Sequence, residues 1–337
     1  MKLSIDDARG LAHACMATLG HTDGEAAIIA DHLIDCELRG LSFGGLARAL
    51  SVAERIKQSD GERRPITLLR ETPVSATLDG GDQAGYLVAR RATEIAIEKV
   101  KSSGIAVVGA NQTWYTGMFS YYLEMITAAG YAGMIAGSGG HIVAPAGGSE
   151  ARYGTNPIAF GFPSAGEPVI WDIGTSDVML GEVLLKMRLG QPLTAGQAYD
   201  ADGRPTTDPA AALGGAFKVW GGHKGSGLAM VVQLLGMMCG AAAAPEGLRD
   251  CGFFLLVVDP GLLTSGCDYR QRVSAYAATL RATRPLDASR PVRVPFERSS
   301  AERRRRLEEG VIEIPEQVYQ ALLALSGHAQ PAPATQS

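Results

Sequence analysis

Several things are scarce or missing in this 337-residue chain, and each absence narrows what it does. No window approaches about 18 uncharged apolar residues except around 225–245, where Gly and Ala dominate. That stretch reads as a buried helix, so no membrane partner is expected. The opening Met1-Lys2-Leu3-Ser4-Ile5-Asp6-Asp7 lacks the apolar core of a secretion signal, which points to the cytoplasm. Cysteine is sparse: Cys15, Cys36, Cys239, Cys251 and Cys267 form an odd set without CxxC spacing, as expected for reduced core thiols. Three of the six histidines, His13, His21 and His32, lie on or beside N-terminal helices, and no metal-ligand cluster is visible. No basic stripe exists, and the net charge of -4 leaves nothing to neutralise phosphates, so nucleic acid is excluded as a partner. The run Arg303-Arg304-Arg305-Arg306, followed by Glu308 and Glu309, reads as a solvated helix face. Finally, no GxGxxG joins a strand to a helix. The glycine cluster Gly137-Ser138-Gly139-Gly140-His141 runs into Ile142-Val143-Ala144-Pro145 instead.

What remains is ordinary globular material, 46% apolar and 20% charged. Ser4 caps a first helix, with Ala8, Leu11, Ala12, Cys15, Met16 and Leu19 at helical spacing. Thr22 and Glu25 form a capping box for a second helix, whose apolar face includes Ala26, Ile29, Leu33 and Cys36. A glycine-rich turn, Arg39–Gly45, leads to a third helix ending near Gln58. Strands then alternate with helices. Strands are expected at Val74–Leu78, Ile105–Ala110, Tyr131–Ala136, Pro157–Phe162, Pro168–Ile173 and Phe253–Val258. Helices are expected at Tyr86–Ser102, Gly117–Ala129, Asp177–Leu189, Gly225–Gly240, Asp268–Thr283, Ser299–Glu309 and Pro315–Leu325. A polar loop is expected at Tyr199–Pro209 and a disordered tail at 327–337. The fold class is therefore α/β. Residues 1–103 with 260–326 are expected to form a helical, substrate-side portion, and 104–259 an α/β cofactor-binding portion.

Three segments carry the polar chemistry. In Gly154-Thr155-Asn156-Pro157-Ile158-Ala159-Phe160, Thr155 and Asn156 place donors and acceptors before a strand. A simple Asx turn would explain the same residues. Trp171-Asp172-Ile173-Gly174-Thr175-Ser176 ends a strand, where ligands commonly sit. Asp172 suits a ribose hydroxyl, and Thr175 or Ser176 a phosphate; both also suit a helix N-cap. Trp220-Gly221-Gly222-His223-Lys224-Gly225-Ser226-Gly227 precedes a long helix, and free N–H groups beside a lysine form an anion site. A flexible surface turn is the plainer alternative.

Taken in order, these segments resemble the type-2 malate/L-lactate dehydrogenase family. Arg39-Gly40-Leu41-Ser42 with Arg48, Ala144-Pro145-Ala146-Gly147-Gly148, Phe253–Pro260 and Val292-Arg293-Val294-Pro295 extend the resemblance over roughly Ser4 to Leu325. It implies a family-specific, non-Rossmann α/β fold, a homodimer, and NAD or NADP as cofactor. It also implies interconversion of 2-hydroxy and 2-oxo acids, or reduction of cyclic imino acids. The family's cofactor contacts would fall on Thr155, Asn156, Asp172, Thr175, His223, Lys224 and Glu297. At the last, Pro295-Phe296-Glu297 replaces the usual Pro-Gly-Glu.

The sequence departs from the family at two histidines. The usual Ser-His-Gly reads Ser42-Phe43-Gly44, and the second histidine position is Tyr115. Ser42, Arg48 and Asn156 remain as candidate contacts for a small-molecule carboxylate substrate, with Tyr115 and Arg48 as catalytic candidates. Tyr115 offers a phenol as proton donor to a ketone; an aromatic pocket wall is the alternative. A protonated imine already carries its proton and needs no strong acid nearby. Two readings follow: a working reductase with altered substrate preference, or a cofactor-binding scaffold that has lost catalysis.

Overall fold

The computed structural model describes residues 1–59, 63–264 and 268–327. Cys267 and residues 328–337 of the expected tail therefore lie outside the described residues. The chain begins β1 (Lys2–Ser4), α1 (Ile5–Thr18), α2 (Asp23–Leu38) and α3 (Ala47–Lys57). Then come β2 (Thr67–Thr72), β3 (Ser75–Ala84), α4 (Gly85–Ser103), β4 (Ile105–Trp114), α5 (Phe119–Ala128) and β5 (Ala132–Gly137). The middle holds β6 (Val143–Ala144), β7 (Ile158–Phe162), β8 (Val169–Ile173), α6 (Leu180–Arg188), β9 (Ala198–Tyr199) and β10 (Pro205–Thr206). It continues through α7 (Pro209–Gly214), β11 (Ala216–Lys218), α8 (His223–Met238) and β12 (Cys251–Val258). The chain closes with α9 (Tyr269–Arg281), α10 (Glu297–Glu309), β13 (Val311–Glu313) and α11 (Glu316–Ser326). Among the described residues, no helix is long and apolar enough to cross a membrane.

Two compact units result: Met1–Asp60 with Ser299–Ser337, and Gly61–Arg298. The division differs from the expected boundaries at 103/104 and 259/260. Strands β2 and β3 join the sheet by backbone pairing, and α4 packs on it, so all three belong to the central unit.

In the terminal unit, Ser4 caps α1 and the Thr22–Glu25 capping box opens α2, as the spacing predicted. The core contains Ala8, Cys15, Ile29, Leu33, Val52, Ile312 and Leu322. Each large apolar side chain fully buried there contributes roughly 1.5–3 kcal/mol. Helix α2 ends in a Schellman motif: Gly40 N–H donates to Glu37 O at 2.9 Å and Leu41 N–H to Cys36 O at 2.9 Å. Gly40 sits at φ +74, where a Cβ is strained. The arginine run is not a uniformly solvated face. Arg303 Nε donates to Asp35 at 2.6 Å and Arg306 Nη1 to Glu37 O at 2.6 Å, while Arg305 pairs along its own helix with Glu302 and Glu309. Asp35, buried, also accepts from Arg39 Nε at 2.7 Å. Helical spacing turns two of the four arginines toward α2, which a count of charges does not reveal.

The central unit is built on a seven-stranded sheet in the order β2-β3-β4-β12-β5-β7-β8. Within it, β3 and β4 are parallel and the other pairs antiparallel. Helix α4 is the crossover that a parallel pair requires. Strand side chains alternate between faces. Ala106, Val108, Phe253, Leu255 and Val257 pack with α4 and α5 residues, while Val107, Phe254, Leu256 and Met134 pack with Leu228, Val232 and Leu235 of α8. Helix α8 approaches closely because Gly236 carries no Cβ, which would overlap Ser138 Oγ. The expected polar loop Tyr199–Pro209 instead contains an antiparallel β9–β10 pair, whose turn Asp200 closes by accepting from Asp202 N and Arg204 N. With β11 and β6 it forms a four-stranded sheet around Val143, Val183 and Phe217.

Candidate active site

The three polar segments of the central unit are hydrogen-bonded to one another. Thr155 O accepts both the Thr175 N–H, at 2.8 Å, and the Thr175 hydroxyl, at 3.0 Å. Thr175 O accepts the Trp220 N–H at 2.9 Å, and Ser176 bridges to Val219. Thr175 is fully buried. Its hydroxyl proton is committed to Thr155, so it fixes the segments rather than facing a phosphate. The helix-cap reading of Thr175 and Ser176 does not hold. Helix α6 starts three residues after Asp177, with Met179 at its N-cap, and the Ser176 hydroxyl donates to Val178 O at 2.7 Å.

Asn156 is buried, with φ +35. Its Nδ2 donates to Ala229 O at 2.8 Å and to Gln233 Oε1 at 2.9 Å, tying the Gly154–Phe160 segment to α8. The simple Asx turn is thereby replaced by a long-range tether. Asn156 Oδ1 is buried without a hydrogen-bond partner among the described residues, a costly state unless an outside donor meets it. Gln233 was invisible to motif reading; its signal is a polar residue on the inward face of an apolar helix.

Helix α8 starts at His223, two residues before the expected Gly225. Gly221 and Gly222, at φ +64 and +61, make the sharp entry that only glycine adopts freely. Among the described residues no side chain caps the helix, and a Cβ on Gly222 would meet nothing within 4 Å. His223 and Lys224 are exposed beside these N–H groups. Glycine entry, uncapped donors and a cation together suit a phosphate group.

Two other candidates are already engaged. Asp172 accepts the Ser120 N–H at 2.8 Å, so it serves the start of α5. Burial raises its carboxyl, against the pull of hydrogen bonds from Ser120 and Phe119. Glu297 pairs with Arg281 and accepts the Val294 N–H at 2.9 Å. Against the desolvation of burial, those partners hold its carboxyl below the ordinary value. Phe296, in the glycine place, is at φ +78, a left-handed conformation unusual for an aromatic residue.

Tyr115 follows β4 at φ +50, with its ring edge-on to Trp114 at 5.6 Å. Trp114 is anchored by Nε1 donating to Asp82 O at 3.0 Å. Backbone strain held by well-packed neighbours concentrates where function needs it. In the terminal unit, Ser42 and Phe43 are half-buried in the turn after α2, and Arg48 lies in the first turn of α3. The Ser42 side chain hydrogen-bonds to the Glu37 carboxyl.

A family model described as Malate/L-lactate dehydrogenase matches residues 3–323. The chain is 31% identical to the ureidoglycolate dehydrogenase (NAD(+)) of Escherichia coli, covering 96% of this chain and 95% of that one. It is 32% identical to the delta(1)-pyrroline-2-carboxylate reductase of Pseudomonas fluorescens, over 92% of this chain and 94% of that one. The crystal structure of a dehydrogenase from Sinorhizobium meliloti superimposes with a TM-score of 0.88 at 31% identity, covering 97% of this chain and 98% of that chain. A fold without a Rossmann unit, three joined backbone segments and a match over nearly the whole length lead to one assignment: the chain belongs to the malate/L-lactate dehydrogenase family.

Proposed function

We propose that this protein is an oxidoreductase using NAD or NADP that interconverts a small 2-hydroxy acid and its 2-oxo acid, or reduces a cyclic 2-imino acid. Relatives named for a dehydrogenase with NAD(+) and for a pyrroline-2-carboxylate reductase support both branches. The observation that carries the reading is the junction of Thr155, Thr175 and Trp220 in front of the uncapped α8. A scaffold without catalysis has nothing in its favour beyond the two replaced histidines.

The residues fit a dinucleotide. The first N–H groups of α8, with His223 and Lys224, would hold its phosphates, and Asn156 Oδ1 is an acceptor awaiting a donor. Thr155 and Thr175 keep that wall rigid; Asp172 and Glu297 act from their places at α5 and Arg281. When bound, the nicotinamide supplies or takes up the hydride. Arg48 would hold the substrate carboxylate with a planar, permanently charged fork. The Ser42 hydroxyl, donating to Glu37, presents lone pairs to a substrate donor. Tyr115 donates the proton that a carbonyl oxygen requires on reduction; an iminium arrives already protonated.

The test compares Tyr115→Phe with wild type on both substrate classes. With a 2-oxo acid, kcat falls about a hundredfold or more, and with a cyclic imino acid it changes little. Unchanged kcat on a 2-oxo acid overturns the role of Tyr115.

The same reading includes a homodimer in the cytoplasm. Met230, Val231, Leu234, Met237 and Met238 form an exposed stripe on α8, opposite the face packed on the sheet. A continuous apolar stripe of this kind usually marks an interface. Cys15, Cys36 and Cys239 are buried, free thiols, as suits a reducing compartment. Sedimentation is expected to give twice the chain mass, and a monomer at micromolar concentration rejects the dimer.

A further inference from the structure

Glu37, in the last turn of α2, is 1% exposed. Its Oε1 accepts the Leu46 N–H at 2.8 Å, and the Ser42 side chain bonds to the same carboxyl. Its backbone O accepts from Gly40 N at 2.9 Å and from Arg306 Nη1 at 2.6 Å. Gly45 has no Cβ, and one there would overlap the carboxyl. A single residue thus touches the turn at positions 40, 42, 45 and 46. Leu46 is the N-cap of α3, which has no side-chain cap of its own, so the Glu37 carboxyl fills that role from the preceding helix. Arg48 follows within one turn, its N–H donating to Gly45 O at 2.9 Å.

Stability alone gives a poor reason for this carboxyl. Glu37 Oε2 is buried with no hydrogen-bond partner among the described residues. Burying a carboxyl with half its acceptors unmet is costly, and an apolar side chain would fill the space without that cost. Where a local rule is broken inside a well-packed unit, a functional demand is the expected cause.

We propose that Glu37 is a positioning residue for substrate binding: it fixes the turn Gly40–Leu46 from within, and so sets the direction of Ser42 and of Arg48. The proposal rests on the reading of Arg48 as the carboxylate-binding group. Glu37 itself touches no substrate. It acts by denying the turn other conformations, which keeps the Arg48 fork in one orientation.

The experiment titrates the full chain, loaded with NADH or NADPH, with pyrrole-2-carboxylate, a planar and unreactive carboxylate. Wild type, Glu37→Ala, Glu37→Gln, Arg48→Ala and the Glu37→Ala/Arg48→Ala double variant are compared. Glu37→Ala is expected to weaken binding about tenfold, and Glu37→Gln, which still accepts from Leu46 N–H, to restore it to within about threefold. In the Arg48→Ala background, Glu37→Ala is expected to have no further effect, because the two act through one contact. Unchanged binding in Glu37→Ala, or the same loss with and without Arg48, overturns the positioning role. An Arg48→Ala variant that binds like wild type, or a wild type that does not bind the probe, overturns the carboxylate-site reading and the proposal with it. If Glu37→Ala does not fold, Glu37→Leu, which fills the space but cannot accept from the Leu46 N–H, takes its place: a loss of binding that vanishes in the Arg48→Ala background supports the role, and unchanged binding or a loss independent of Arg48 rejects it.

Discussion

Glu37 Oε1 accepts the Leu46 N–H at 2.8 Å, and the space it occupies exists because residue 45 is glycine. Gly45→Ala must push the carboxyl aside. Overpacking of this kind costs about 1–3 kcal/mol, measured by urea denaturation. In a Glu37→Ala background most of that loss should vanish, since the clash is gone. Equal losses in both backgrounds would place the strain elsewhere.

The same carboxyl makes stability depend on pH. Burial raises Glu37 from 4.5 to about 7, opposed by the Leu46 N–H, the Ser42 side chain and the Arg306 charge. Below pH 4.5 the group is neutral whether the chain is folded or not. As pH rises from 4.5 to about 7, the unfolded chain ionises first, so folding stability falls. The full effect is on the order of 3 kcal/mol. Glu37→Gln should flatten this slope in denaturant titrations across the window. A slope that survives the substitution would assign it to other groups.

Phe296 combines a left-handed backbone with a ring packed against the central core. Phe296→Ala keeps the strained φ and loses the ring, whereas Phe296→Gly loses the ring but relieves the backbone. Left-handed strain is worth about 1 kcal/mol or more, so Phe296→Gly should be the more stable of the two. Thermal unfolding of both checks the order, and the reverse order would mean that φ +78 costs this residue nothing.

Lys224 stands exposed in the first turn of α8. Lys224→Ala should weaken NADH or NADPH binding by about tenfold while leaving the unfolding midpoint unchanged, as for loss of one charge-assisted contact. Fluorescence titration of the dihydronicotinamide reads the change. Unaltered affinity would remove the anion site from the start of α8.

Much of this was legible in the chain. The Ser4 cap, the Thr22–Glu25 box and the α4, β7 and β12 segments follow from local periodicity, which local physics enforces. The three polar segments could be picked out because unusual residue types cluster in them. Their mutual bonds could not, since Thr155, Thr175 and Trp220 meet across long sequence separations. Strand β1 and its partner β13 were missed because three-residue strands carry no period and depend on pairing across the whole chain. The α6 start slipped from Asp177 to Leu180 because Asp177 N bonds to Lys218 O, a tertiary contact that outbids a local cap. The roles of Arg303, Arg306 and Glu37 were hidden for the same reason: a charge reads as solvated until its partner is placed.

The central claim is that the chain still turns over substrate with Phe43 and Tyr115 in place of the family's histidines. The most direct test incubates the purified full chain with NADH, and separately NADPH, and a panel of 2-oxo acids and cyclic 2-imino acids, following loss of dihydronicotinamide absorbance. The account predicts substrate-dependent, saturable oxidation with at least one member of the panel. Saturable cofactor binding with no oxidation across the panel would contradict it.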